Sequence, residues 1–281
     1  NVKVNYPSLG MDFVYDADGR YTLNGTVYND LTSFLSAAGG TFTRASIGTY
    51  YDSTGTLQNA ASGVPRFDYD PVTHAAKGIL IEENRTNIRT YSDQLDNAVW
   101  TRTNSSVSPN VAMSPNGTLS ADKLVEDTSS GVHCIGSWPS PYSNLTTYQQ
   151  SVFVKAGERT KIALHSLGVN NTSYDLGYFD LSNGTKISGQ GKISSLGNGW
   201  FRVTASITTG NPSTSPGLRV YILDNAGNTS YVGDGSSGIY VWGAQVEQGA
   251  FPTSYIPTTT VAVTRAADTV SVPVGAWTDL T

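Results

Sequence analysis

Asp68 and Asp70, in "PRFDYDP", alternate along a predicted strand and so share one face of it. Such a pair could grip a cation or a sugar, or act as acid and nucleophile in glycoside hydrolysis. A solvated sheet face explains the two equally well. Glu82 and Glu83 are adjacent, and strand geometry sends them to opposite faces. "DADG" at 16–19 opens like a calcium loop, but the later acidic ligands are missing and a hairpin turn is the simpler reading. His74, His133 and His165 fit no zinc-binding spacing, and His165, in the strand-like "KIALHSLG", reads as structural. No nucleophile elbow, P-loop or dinucleotide fingerprint occurs. Cys134 is the only cysteine, which excludes an intrachain disulfide and a cysteine zinc cluster; it reads as a small buried residue. No cofactor is implied. A calcium ion in a β-sandwich is compatible with the composition, but no residue set assigns one. The expectation is a protein that is not an enzyme.

The aromatic residues give the stronger signal. Sugar rings have apolar C–H faces that stack on Trp and Tyr, while Asn, Gln, Asp and Arg bond the hydroxyls. Trp138 and Tyr142 lie in "SWPSPYSN", whose prolines bar a central strand and favour an exposed loop. Tyr240 and Trp242 alternate along "GIYVWGAQVEQG". These four are the candidate ligand-binding residues, with Tyr174, Tyr178, Trp200 and Tyr221 as further rings. Simple alternation puts Tyr240, Trp242, Ala244 and Val246 on one face, and Ile239, Val241, Gly243 and Gln245 on the other. Both faces are largely apolar, so Trp242 reads as core more readily than as a sugar platform.

The elements that must position these rings are short strands. Only 14% of the 281 residues are charged, Tyr numbers 16 and Met 2, and polar turn residues are plentiful. The net charge of −5 offers no basic face for a phosphate backbone, which argues against nucleic acid as a partner. No apolar run has the length of a membrane-spanning helix, so membrane insertion is not expected. The chain opens on Asn1 rather than Met, which suggests a piece of a longer polypeptide.

Asp18-Gly19 and Asn24-Gly25 signal hairpins, and "DLTSFLSAAGG" predicts a short helix capped by Asp30 and stopped by Gly39-Gly40. The run Ile79-Leu80-Ile81 predicts a strand covered on both sides. From about Trp100, strand-like segments recur every 10–15 residues or so, the pattern of a β-sandwich or jelly roll. "FTRAS" at 42–46 is echoed by "VTRAAD" at 263–268, which suggests two flanks meeting in one host unit with the sandwich inserted between them. The expected fold is all-β: a jelly-roll sandwich inserted in or following a smaller β-rich N-terminal unit. The expected divisions are a β-rich unit at 1–95, the sandwich at 96–258 and a return strand or linker at 259–281.

The stretch "TFTRASIGTYYDSTGTLQNAASGVPRFDYDPVTHAAKGILIEENRTN" resembles a segment of tailed-phage and prophage virion proteins, where an R-F-D-Y-D-P strand precedes G-L-L-I-E-x-x-R-T-N. "LGNGWFRV" and "GIYVWGAQVEQGAFPTSYIPTTTVAVTRAAD" are similar to the jelly-roll part of the same group, phage head-spike, head-fibre or tail-fibre proteins with lectin-like or carbohydrate-binding-module-like sandwiches. The resemblance covers most of residues 41–270. It implies a protein on the virion surface, a homotrimer beside other virion proteins, and host attachment through a bacterial surface glycan. It carries no catalytic residues over to this chain. It also casts "GAFPTSYIPTT" as the exit from the sandwich, kept extended by Pro252 and Pro257 and docked by Tyr255. The remaining alternatives are a polysaccharide depolymerase or glycosidase fragment using Asp68, Asp70 or Glu82, and a capsid decoration that binds nothing.

Overall fold

The computed structural model describes residues 9–11, 21–137, 143–167, 173–210 and 217–273. The regular structure of the described residues is almost all strand, with one helix. It divides into two compact units, residues 1–84 with 265–281, and residues 85–264.

In the first unit, β1 (Leu9–Met11), β2 (Tyr21–Leu23) and β3 (Thr26–Tyr28) form an antiparallel sheet. Its β2–β3 turn uses Asn24 and Gly25 at φ 49° and 80°, the left-handed pair a tight hairpin needs. Helix α1 (Leu31–Ala38) follows. Asp30 caps it by accepting from the Ser33 backbone N–H at 2.7 Å and the Ser33 hydroxyl at 2.8 Å. Gly39, at φ 65°, ends it. Leu31, Phe34, Leu35 and Ala38 recur at helical spacing and bury one face against Tyr21 and Leu23. The remaining strands are β4 (Thr41–Thr43), β5 (Gly48–Tyr51), β6 (Leu57–Ala60), β7 (Phe67–Tyr69) and β8 (Ala76–Ile79); β5 pairs with β6, and β7 with β8. The apolar run at 79–81 is not a doubly covered strand. β8 ends at Ile79, and Ile81 is 48% exposed.

The second unit is a two-sheet sandwich of the jelly-roll type. After β9 (Arg85–Asn87) its strands are β10 (Trp100–Thr103), β11 (Ser105–Met113), β12 (Leu119–Glu126), β13 (Ser130–Ser137), β14 (Thr147–Ala156), β15 (Lys161–Leu167) and β16 (Ser173–Asp180). They continue as β17 (Thr185–Gly189), β18 (Lys192–Ser195), β19 (Trp200–Thr208), β20 (Leu218–Leu223), β21 (Ser230–Val232) and β22 (Gly238–Gln248). A seven-stranded sheet runs β10-β13-β20-β15-β16-β17, with β21 added on β13. A six-stranded sheet runs β11-β12-β22-β14-β19-β18. Between them lies one apolar core that includes Ile135, Val152, Val154, Ile162, Leu164, Phe179, Val203, Val220, Ile222, Val241 and Val246. The chain enters through β9 and leaves through β23 (Val263–Arg265), which pair; the Thr86 and Thr264 hydroxyls meet at 2.7 Å. β24 (Thr269–Ser271) then pairs with β4, joining the two flanks of the first unit. The boundaries fall at 84/85 and 264/265 rather than 95/96 and 258/259. The reason is that residues 87–92 and 253–258 hydrogen-bond to β22 and to each other, as in Asn87 to the Ala244 and Ile256 carbonyls.

Strand β22 corrects the sequence reading of its two faces. The pairing with β14 slips one residue between Ser151 and Phe153, and Gly243 sits there at φ 60°. This bulge reverses the alternation. Ile239, Val241, Ala244 and Val246 all enter the core, while Tyr240, Trp242, Gln245 and Glu247 lie on the outer face. A Cβ on Gly243 would stand 2.7 Å from Phe153 Cδ2. Gly243→Ala should therefore cost about 1–3 kcal/mol from left-handed strain and overpacking together. A chemical denaturation curve with an unchanged midpoint would contradict this account of the bulge.

Candidate binding face

The outer face of the seven-stranded sheet brings together an aromatic and polar cluster. On β20, Leu218, Val220 and Ile222 point inward, which turns Arg219, Tyr221 and Leu223 outward. On β15, Ile162 and Leu164 point inward, and Lys161, Ala163 and His165 outward. Cross-strand register sets Tyr221 between Cys134 and Ala163, and Arg219 beside His165. A slip in the β15–β16 pairing at Leu164/His165 brings Asp175 opposite His165 and keeps Tyr178 on the same face.

The side chains are locked to one another. The His165 ring lies over Tyr221 at 4.2 Å between centroids and 33° between planes. His165 Nδ1 stands 3.1 Å from Asp175 Oδ1, and the Tyr178 hydroxyl donates to Asp175 Oδ2 at 3.1 Å. Arg219 Nη1 donates to the Tyr221 hydroxyl at 3.1 Å. Cys134, Ala163, Tyr221 and Leu223 form an apolar floor, with Val132 and Tyr178 packed on it. Tyr221 and His165 are each 6% exposed, whereas Asp175 is exposed and Tyr178 and Arg219 are half-buried. The solvent side of the cluster is thus the partly exposed Tyr178 ring, one guanidinium and one carboxylate. That set can stack on an apolar sugar face and bond its hydroxyls.

Burial lowers the pKa of His165 from 6.5, opposed by Asp175 and reinforced by Arg219. Burial and the Asp175 charge raise Tyr178 to about 12. Burial also raises the Cys134 thiol, consistent with an inert floor residue. The depressed histidine has a signed consequence. Below 6.5 the unfolded chain binds a proton there that the folded chain refuses, so folding stability falls with pH in the window from 6.5 down to the folded value. Above 6.5 the contribution is complete. Melting curves between pH 7.5 and about 5 should show a steeper loss in the native chain than in His165→Gln. Parallel pH profiles for the two would refute it.

Of the four ring residues expected from the sequence, the two that the structure describes, Tyr240 and Trp242, lie on the other sheet. Trp138 and Tyr142 lie outside the described residues. Tyr240 is half-buried on the outer face of the other sheet. Trp242 is on that same face but 1% exposed, against Phe153 at 5.3 Å and Tyr255 at 4.8 Å, so its ring has no free side for a ligand. Of the further rings, Trp200 is 3% exposed and donates its indole N–H to the Met113 carbonyl at 3.0 Å. Tyr178 and Tyr221 do belong to the cluster. Asp175 and Arg219 were not expected, and strict alternation in "KIALHS" and "GLRVYIL" is the signal that exposes this face.

The candidate carboxylates are occupied by local structure. Asp68 accepts from the Tyr51 backbone N–H at 2.8 Å, and burial raises its pKa. Asp70 lies beyond the end of β7 and does not share a strand face with Asp68. It accepts from the Val72 and Thr73 backbone N–H groups, with the turn it stabilises lowering its pKa to about 2. Glu82 pairs with Arg66 at 2.8 Å and Arg265 at 2.9 Å. Among the described residues no group of three or more His, Cys, Asp or Glu side chains is placed to hold a metal ion. No helix among them is long and apolar enough to cross a membrane.

No protein-family model matches the chain, and no curated protein matches it. Solved structures do. One is the CBM22-1–GH10 part of endo-1,4-β-D-xylanase 10B from Clostridium thermocellum complexed with xylohexaose, 13% identical over 62% of this chain and 30% of that one, at a TM-score of 0.39. Another is the enzymatically active domain of tailspike protein 4 of bacteriophage CBA120, 13% identical over 58% of this chain and 21% of that one, at 0.37. A third is a mannan-recognising carbohydrate-binding module, TmCBM27, 9% identical over 61% of this chain and 98% of that one, at 0.34. The matched part therefore spans less than a third of the first two proteins.

Proposed function

We propose that the sandwich is a non-catalytic saccharide-binding module, and that the chain belongs to a bacteriophage head-spike, head-fibre or tail-fibre protein that attaches to surface glycans of a bacterial host. The observation that carries the binding role is the cluster on the seven-stranded sheet. Tyr178, Arg219 and Asp175 reach solvent above a buried floor and are already tied by hydrogen bonds, Tyr178 to Asp175 and Arg219 to Tyr221, so little side-chain entropy is lost when a sugar docks. The virion role is supported by the phage-like motifs at 41–87 and in the sandwich exit. A homotrimer on the virion surface completes the reading, and sedimentation of the purified chain tests it.

A glycan array with whole-cell binding tests the attachment role. The native chain should retain a bacterial surface polysaccharide. Tyr178→Ala and Arg219→Ala should each weaken retention by roughly tenfold or more, the loss of one stacking ring or one charge-assisted hydrogen bond. Full retention by both variants would sink the site. Release of new reducing ends from the same polysaccharide would overturn the non-catalytic reading.

A further inference from the structure

The outer face of the six-stranded sheet carries a row of different character. Register places Lys123 on β12 and Lys155 on β14 directly either side of Tyr240 on β22. All three point away from the core, because their neighbours Leu124, Val154, Ile239 and Val241 point into it. Strand spacing separates the two lysine Cβ atoms by about 10 Å. Trp200 on β19 is next in the row and, held by its bond to the Met113 carbonyl, forms a wall.

The two lysines are not equivalent. Lys123 is neutralised by Glu158 at 2.7 Å and also donates to the Ser236 carbonyl. Lys155 has no carboxylate partner among the described residues, and its stem runs over Gly199, whose Cβ would lie 3.3 Å from Lys155 Cε. Lys192 and Arg202 lie on the same face, while its buried carboxylate, Glu247, is consumed by Thr253 and Gln245. A chain of net charge −5 thus keeps a locally positive, ring-centred surface here.

The geometry points to a second saccharide subsite, centred on Tyr240 and Lys155, that takes an acidic sugar residue such as a hexuronate within a polysaccharide. The half-buried Tyr240 ring meets the C–H face of the pyranose, and the Lys155 ammonium meets its carboxylate. A neutral sugar would stack on the ring but strip water from Lys155 without replacing its partner, which costs affinity. A bare phosphate or lipid headgroup would leave the ring unused. This site is independent of the cluster on the opposite sheet.

Calorimetric titration with tetragalacturonate, and with the same tetramer after reduction of its carboxyls, tests the assignment. The acidic tetramer should bind, more weakly as salt rises, and the reduced one at least roughly tenfold less tightly. Lys155→Gln and Tyr240→Ala should each lose about that factor, and Lys155→Arg should recover most of it. Lys123→Gln should do little, since Glu158 already cancels its charge. Lys186→Gln, an exposed cation on β17 of the other sheet, should leave this binding unchanged, which separates a built subsite from net charge alone. Thermal melts of each variant confirm that the sandwich remains folded. Equal affinity for both tetramers, no binding of the acidic one, or native affinity in Lys155→Gln would overturn the subsite.

Discussion

Asp268→Asn should destabilise the first unit by about 3–5 kcal/mol, the cost of leaving a buried charge without its partner. Arg44, Arg66 and Arg265 are each no more than 1% exposed. Asp268 joins the first two: Oδ1 accepts from Arg44 at 3.0 Å and Oδ2 from Arg66 at 2.5 Å, while Oδ2 also accepts from the Glu82 backbone N–H. Glu82 in turn bridges Arg66 and Arg265. Losing one carboxylate charge leaves Glu82 as the remaining anion among these five residues. Local hydrogen exchange in α1 and β2 should quicken accordingly, and native-like protection in the variant would show the network to be dispensable. Restoring stability would require removing a guanidinium as well, since an apolar replacement of a whole buried pair can be neutral.

Tyr255→Ala should cost the sandwich about 3–5 kcal/mol, as for other fully buried aromatic rings. Tyr255 is 3% exposed, lies against Phe153 at 5.6 Å and Trp242 at 4.8 Å, and shares a 2.6 Å hydrogen bond with the Ser92 hydroxyl. Gln245 and Glu247 hold the segment on either side of it, through the Ile256 and Thr253 backbone N–H groups. Removing the ring opens a cavity and uncovers Trp242. Indole fluorescence should shift to longer wavelength before global unfolding, and Tyr255→Phe should retain most of the stability. A native-like spectrum in Tyr255→Ala would mean that the hydrogen bonds alone hold the segment down.

Local signals in the sequence were sufficient where one short stretch decided the outcome. Asp30 and Gly39 bracket α1, Asn24-Gly25 makes its turn, and Tyr255 docks the sandwich exit. The repeated Thr-Arg-Ala also marked residues that meet, since Arg44 pairs with Asp268 and the Ala266 backbone N–H donates to the Ser46 hydroxyl. What stayed hidden depended on distant partners. Nothing near Arg66 announces that it will be wholly buried against a carboxylate 202 positions away. The Gly243 bulge reverses half of β22, so alternation misplaced Ala244 and Val246. The partners of the structural His165, Tyr221 and Asp175, come from two other strands.

The meeting of Thr86 and Thr264 has a mechanical corollary. Both stems of the sandwich emerge side by side, so traction applied through the polypeptide ends would load the β9–β23 pair before any strand of the jelly roll.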